Sequence, residues 1–178
     1  IERGLVGSEM CIRDRYKANR SDAPDDLIPQ FDYIRKSVEA FNLPSIELIN
    51  YEADDLIATY SEQIIKNGGD VTIVSSDKDL MQLYKKNIRI YDPMKNRFIN
   101  EEDIQKKFGV KAEKVIDVQS LAGDSSDNVP GVPGIGIKTA AELINEYGTL
   151  ENLLSNSKNI KQNKSRETLI ENKQKAMI

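Results

Sequence analysis

Residues 121–144, LAGDSSDNVPGVPGIGIKTAAELI, decide how the rest of the chain is read. Asp124 and Asp127 stand three apart, a Pro/Gly turn follows, and Gly134-Ile135-Gly136 runs straight into a helix-forming stretch. Pro130, Gly131, Pro133 and Gly134 exclude a regular helix or strand, and Gly136 is expected to take a positive φ and let another backbone come close. The stretch is therefore a shaped turn between two helices. The amides that open the second helix, near Ile137, Lys138 and Thr139, have no intrahelical acceptor and suit an anion; Lys138 adds a full charge, so a phosphate is the expected guest. Taken alone, the pattern also fits an ordinary helix-turn-helix corner, with Asp127 as N-cap and the glycines as turn-formers.

Upstream of it, short apolar runs alternate with amphipathic ones. Residues 46–49, 71–74 and 88–91 read as buried strands, and 92–96 reads as a turn into Arg97 to Ile99. Residues 25–42 carry Leu27, Phe31, Ile34, Val38 and Phe41 at helical spacing, which predicts a core-facing helix opened by Pro24, with Pro29 able to delay its start. Residues 52–67 predict a second helix with Leu56, Ile57, Tyr60, Ile64 and Ile65 inward, ended by Gly68-Gly69. A short helix is expected at 78–83. This alternation predicts an α/β layer with a largely parallel sheet. Helices at 101–108 and 112–121 then lead into the quoted stretch, so the second half is helical.

Composition narrows the chemistry. At 178 residues with 39% hydrophobic and 30% charged residues, the chain suits a soluble globular domain with a proper core, and no apolar run is long enough for a membrane span. One cysteine, Cys11, excludes an internal disulfide framework, and the absence of histidine excludes Cys/His zinc sites and imidazole acid/base chemistry. No secretory signal is visible, so a reducing cytoplasm is expected. The net charge of −4 weighs against a nucleic-acid binder until the charges are located. Setting aside the seven acids discussed next leaves +3 on the remainder.

Glu52, Asp54 and Asp55 fall at a strand-to-helix junction, the edge at which open α/β folds place their ligands. Glu52 and Asp55 share a helical face, with Asp54 beside them. Asp77 and Asp79 repeat the arrangement after the next strand, and Asp124 and Asp127 make a third group. Helix capping and the macrodipole account for one acid per site. Seven acids converging from three sites would repel one another unless positive charge lay between them. Oxygen-only donors select hard ions, Mg²⁺ or Mn²⁺. Two such ions about 4 Å apart would stabilise the attacking and leaving oxygens of a phosphodiester displacement.

GDSSDNVPGVPGIGIKTA resembles the helix-hairpin-helix segment of the 5'-nuclease domain of bacterial DNA polymerase I, within the flap-endonuclease superfamily, and the likeness runs from Tyr16 nearly to the end. It implies a PIN-like α/β fold followed by a helical DNA-binding region. Through EADD, SSDKD and GDSSD it implies two divalent ions held by Glu52, Asp54, Asp55, Asp77, Asp79, Asp124 and Asp127. YKANR, at 16–20, resembles a basic helical arch, so Tyr16 would contact DNA while Lys17 and Arg20 serve as catalytic contacts to the scissile phosphate. Gly134, Ile135, Gly136, Lys138 and Thr139 would hold the duplex backbone, with K⁺ bound at the hairpin. The implied activity is cleavage of DNA at 5' flaps and 5' ends during replication and repair, by a nucleoid-associated monomer with a polymerase module downstream.

The division expected is 1–15, a lead resembling translated sequencing adapter and foreign to the domain; 16–118, the nuclease core; and 119–178, the hairpin region. Two strands with two metal-binding aspartates, present at the front of the family, have no counterpart in 1–15, so impaired cleavage by this chain is expected. A stand-alone flap endonuclease, a DNA-binding module that does not cut, and a metal-stabilised structural domain stay open as alternatives.

Overall fold

The computed structural model describes Lys17, residues 21–160 and 163–172, and Ala176, the side chains of 163–165 excepted. The lead 1–15, Tyr16 and Arg20 lie outside the described residues. Three strands form one sheet in the order β1 (Val71–Val74), β2 (Ile88–Asp92), β3 (Arg97–Ile99). β1 and β2 run parallel, with Val71 opposite Ile88, and a crossover containing a 3-10 turn (Asp79–Leu83) joins them. β2 and β3 are antiparallel, with Ile90 opposite Ile99, because a tight turn with Asn96 at φ 52° returns the chain directly. The α/β layer is present as expected, and its described sheet is mixed.

Asp92 is buried at the end of β2 and organises this corner. Its Oδ1 accepts from the amides of Met94 at 3.0 Å and Lys95 at 3.2 Å and from the Ser76 hydroxyl at 2.9 Å, while Oδ2 pairs with Lys95 at 2.8 Å. The Lys95 hydrogen bond above all, helped by Ser76 and the Lys95 amide and charge and opposed by burial, holds this carboxyl well below the usual range. One side chain thus fixes both the β2–β3 turn and the loop after β1.

Helix α1 (Gln30–Ala40) begins directly after Pro29, and α2 (Ala53–Lys66) begins with a capping box between Glu52 and Asp55. The inward stripe of α2 is Ile57, Ser61 and Ile65, four residues apart. Tyr60 and Ile64, expected inward, lie about 100° round the helix from that stripe and are exposed. Two further expectations are overturned. Helix α1 buries no residue, and its apolar stripe faces outward, with Ile34 55% and Phe41 76% exposed. Residues 46–49 form no strand and Ile46, Leu48 and Ile49 are exposed, since among the described residues no strand edge pairs with them. Apolar spacing shapes a segment but does not supply the surface it packs on.

The core runs instead from the sheet into the second half. Helices α3 (Glu101–Phe108), α4 (Val115–Ala122), α5 (Ile137–Tyr147), α6 (Leu150–Ser155) and α7 (Asn163–Glu171) follow β3. Ile73, Ile88, Ile90 and Ile99 of the sheet join Ile104 and Phe108 of α3, Val118 and Leu121 of α4, Ile144 of α5 and Leu153 of α6 in one cluster. Each such side chain contributes roughly 1.5–3 kcal/mol on burial. Helix α3 is opened by Asn100 and stopped by Gly109 at φ 73°, where a Cβ would stand 2.7 Å from the Ala141 methyl of α5. The sheet and the hairpin helices therefore share one packed interior. No helix among the described residues is long and apolar enough to cross a membrane.

Candidate metal centre and nucleic-acid interface

The loop after β1 is fixed by its own polar residues. The Asp77 amide donates to the Ser75 hydroxyl at 3.0 Å, the Asp79 amide donates to Asp77 Oδ1 at 2.9 Å, and Ser76 is tied to Asp92. Across from it, the first turn of α2 presents Asp54, while Asp55 turns back to accept the Glu52 amide at 3.0 Å. Burial first, then the charges of Asp77, Glu52 and Asp79, push the Asp54 carboxyl above its ordinary value, against Lys17. Burial also pushes Asp79 up; the Gln119 hydrogen bond and Lys78 oppose this, and Asp77 and Asp124 reinforce it. Asp79 is thus within reach of acids of two other chain segments, Asp54 of α2 and Asp124 of the hairpin.

Lysines stand among them. Lys17 pairs with Glu52 through its side chain, and its amide donates to the Asp127 carbonyl at 3.0 Å, so this one residue touches both the α2 and the hairpin acids. Lys78 pairs with Asp124, whose Oδ1 also accepts the Ser126 amide at 2.8 Å. Burial alone would raise Asp124, but Lys78 and Ser126 outweigh it and hold the carboxyl below its usual value. Burial opposes the ammonium of Lys78 in turn, and Asp124, Asp79 and Asp127 together raise its pKa. Among the described residues no three acids are drawn tightly enough to ring a single ion.

The hairpin between α4 and α5 is built on two close-packed glycines. Asp124 and Val129 exchange backbone hydrogen bonds of 2.9 and 2.7 Å, and the Val132 amide reaches the Leu121 carbonyl at 2.7 Å. These bonds press Gly123 (φ 73°) against Gly131 (φ 57°): a Cβ on Gly123 would stand 2.7 Å from the Gly131 nitrogen, and one on Gly131 would overlap the Gly123 nitrogen. The close approach expected at Gly136 occurs here instead. Gly136 has φ −92° and open space about it, since it serves as the extended N-cap of α5, and the left-handed turn falls on Gly134 at φ 78°. Ile135 also departs from its expected role: its side chain is buried and its amide is spent on the Val132 carbonyl at 3.0 Å. It anchors the turn from beneath. Gly134, Gly136, Ile137 and Lys138 remain exposed and Thr139 half-buried at the start of α5.

Lys78 and Gln119, which pair with acids of the site, and Gly123 are not among the candidates that spacing brings forward. Lys78 was legible between two acids in SSDKD, and Gly123 within GDSSD. Gln119 was not, because it meets Asp79 from forty positions away.

Two family models match the chain. Residues 10–109 match the 5'-3' exonuclease N-terminal resolvase-like domain, and residues 110–178 match the 5'-3' exonuclease C-terminal SAM fold. The DNA polymerase I of Rhizobium leguminosarum is 57% identical over 161 residues, covering 90% of this chain and 16% of that protein. The 5'-3' exonuclease of Aquifex aeolicus (strain VF5) is 43% identical over 141 residues, covering 79% of this chain and 49% of that protein. The chain therefore spans a sixth to a half of the length of these relatives. Among solved structures, the bacteriophage T5 D15 protein co-crystallised with metal ions superposes with a TM-score of 0.82 at 23% identity, covering 97% of this chain and 68% of that one. A variant of the T5 D15 flap endonuclease, in a complex with DNA and metal ions, gives a TM-score of 0.81 at 22% identity, covering 97% and 66%. At that identity the likeness is one of fold.

Proposed function

The chain belongs to the 5'-3' exonuclease family, and from that premise we propose that it forms the part of a DNA polymerase I or stand-alone exonuclease that hydrolyses DNA at 5' flaps and 5' ends. One observation carries the reading: Asp79, in the loop after β1, lies within reach of the charge of both Asp54 of α2 and Asp124 of the hairpin, so acids of three chain segments border one another. An all-oxygen donor set of excess negative charge fits hard divalent ions, Mg²⁺ or Mn²⁺. Glu52, Asp54, Asp55, Asp77, Asp79, Asp124 and Asp127 would hold two of them. When bound, such ions lower the pKa of an attacking water and offset charge on the leaving oxygen.

The chain's own residues do the rest. Lys17, which pairs with Glu52 and whose amide donates to the Asp127 carbonyl, would meet the scissile phosphate, with Tyr16 and Arg20 near it in sequence. The first-turn amides of α5 and Lys138 hold the duplex through its phosphates, and carbonyl oxygens of the hairpin backbone would hold a K⁺. Phosphate contacts position DNA without reading its sequence. That suits an enzyme of replication and repair, including the processing of Okazaki fragments.

The test uses the full-length gene product and a 5'-flap duplex. Cleavage is expected with Mg²⁺ and not with chelator, and Asp79→Ala should slow it at least about 100-fold, since losing a metal contact forfeits several kcal/mol and each 1.36 kcal/mol is about tenfold. Lys138→Ala should instead weaken binding alike for unrelated sequences and reduce the salt slope by about 1. Cleavage that persists in chelator, or in the Asp79 variant, would defeat the reading.

A further inference from the structure

We propose that Gln119 positions the Asp79 carboxylate for the metal ion and couples the hairpin to the metal centre. The inference rests on reading the acids as a metal centre. Gln119 lies half-buried in α4, and its side-chain amide donates to Asp79 Oδ1 across forty residues of sequence. The backbone of Asp79 is held as well, its amide by Asp77 at 2.9 Å and its carbonyl by the Gln82 side chain at 2.9 Å. Among the described residues, nothing donates to the second carboxylate oxygen. One oxygen is thereby fixed and the other left to a ligand.

The donor is neutral, and that decides its role. Lys78 satisfies Asp124 with a cation and so competes with any ion that Asp124 would bind. A carboxamide orients Asp79 and leaves its whole charge for a cation, the usual arrangement by which outer partners tune metal ligands. The same residue also ends the helix: the Gln119 carbonyl accepts the Gly123 amide at 2.7 Å, where the chain turns into the hairpin. A shift of the hairpin on DNA would therefore reach the Asp79 carboxylate through one side chain.

The test is Mn²⁺ titration of the chain, followed by electron paramagnetic resonance, in wild type, Gln119→Leu, Asp79→Ala and the double variant. Gln119→Met, which also lacks a donor, serves if the leucine variant does not fold; melting temperatures identify folded variants. Gln119→Leu is expected to weaken Mn²⁺ binding about 10- to 100-fold with its melting temperature unchanged. In the Asp79→Ala background the same substitution should have no further effect. Wild-type affinity in both Gln119 variants, with Asp79→Ala weakened, would overturn the inference alone. If Asp79→Ala also binds Mn²⁺ as wild type does, the metal reading falls with it.

Discussion

Asp54 and Asp103 both stand in the first turn of a helix, where the macrodipole favours an acid, yet their carboxyls move in opposite directions. Asp54 faces other acids and is raised. Asp103 takes both arms of Arg97 at 2.7 and 2.8 Å and the Asn100 amide at 3.0 Å, with the Arg97 hydrogen bond the largest of the causes that hold it down to about 2. A folded value below the unfolded one, roughly 3.9, gives stabilisation that is complete above that pH and is lost as pH falls from about 4 toward 2. Asp103→Asn should therefore lower the melting temperature near neutrality and flatten its decline between pH 4 and 2. Melts of both proteins across that range measure it, and parallel declines would show that the Arg97 pair does not carry the shift. The raised Asp54 has the reverse sign: its charge costs stability at neutral pH, and the cost fades on acidification. Of the acids proposed for the site, Asp54 and Asp79 carry this cost, whereas Asp124, held low by Lys78 and Ser126, stabilises the fold when charged.

At the scale of the element, the hairpin separates three glycines that look alike in sequence. Gly131 is left-handed and pressed on the Gly123 backbone, Gly134 is left-handed in open space, and Gly136 is neither left-handed nor crowded. Alanine at Gly131 should cost about 2–4 kcal/mol, from the left-handed strain plus overlap. At Gly134 only the strain applies, about 1 kcal/mol. At Gly136 the cost should be that of a weaker N-cap, under about 1 kcal/mol. Denaturant melts of the three variants give the ranking directly; equal values for Gly131→Ala and Gly136→Ala would contradict the packed glycine pair. A rigid turn also explains how Ile135 can be buried while the residues on either side stay exposed: the apolar anchor holds the loop so that the α5 amides face outward.

Over the whole molecule, packing is uneven. From Ile73 to Leu169 the chain closes one continuous core, whereas Phe31, Ile34, Phe41, Leu43, Ile46, Leu48 and Ile49 all lie exposed in the first third. Contiguous exposed apolar surface binds hydrophobic probes. The chain should enhance the fluorescence of an anilinonaphthalene dye under native conditions, and Phe31→Ser with Ile34→Ser should remove much of that signal while changing stability by less than about 0.5 kcal/mol. A large loss of stability in that variant would mean that α1 is packed after all.

The sequence by itself determined the local architecture: proline, glycine and apolar spacing placed α2, β1, β2, the turn into β3 and α3 to α5 to within a few residues, because caps, turns and periodicity are local physics. It also brought forward the acids, since seven carboxylates in three groups, in a chain with no histidine and a single cysteine, leave few chemical uses. Only the tertiary structure decided which apolar stripes are covered, because the α1 pattern looks the same with or without a surface to pack on. It likewise decided the partners. Gln119 with Asp79, Lys78 with Asp124 and Gly123 with Gly131 are separated along the chain, and their contacts depend on how the sheet and the hairpin close over one core.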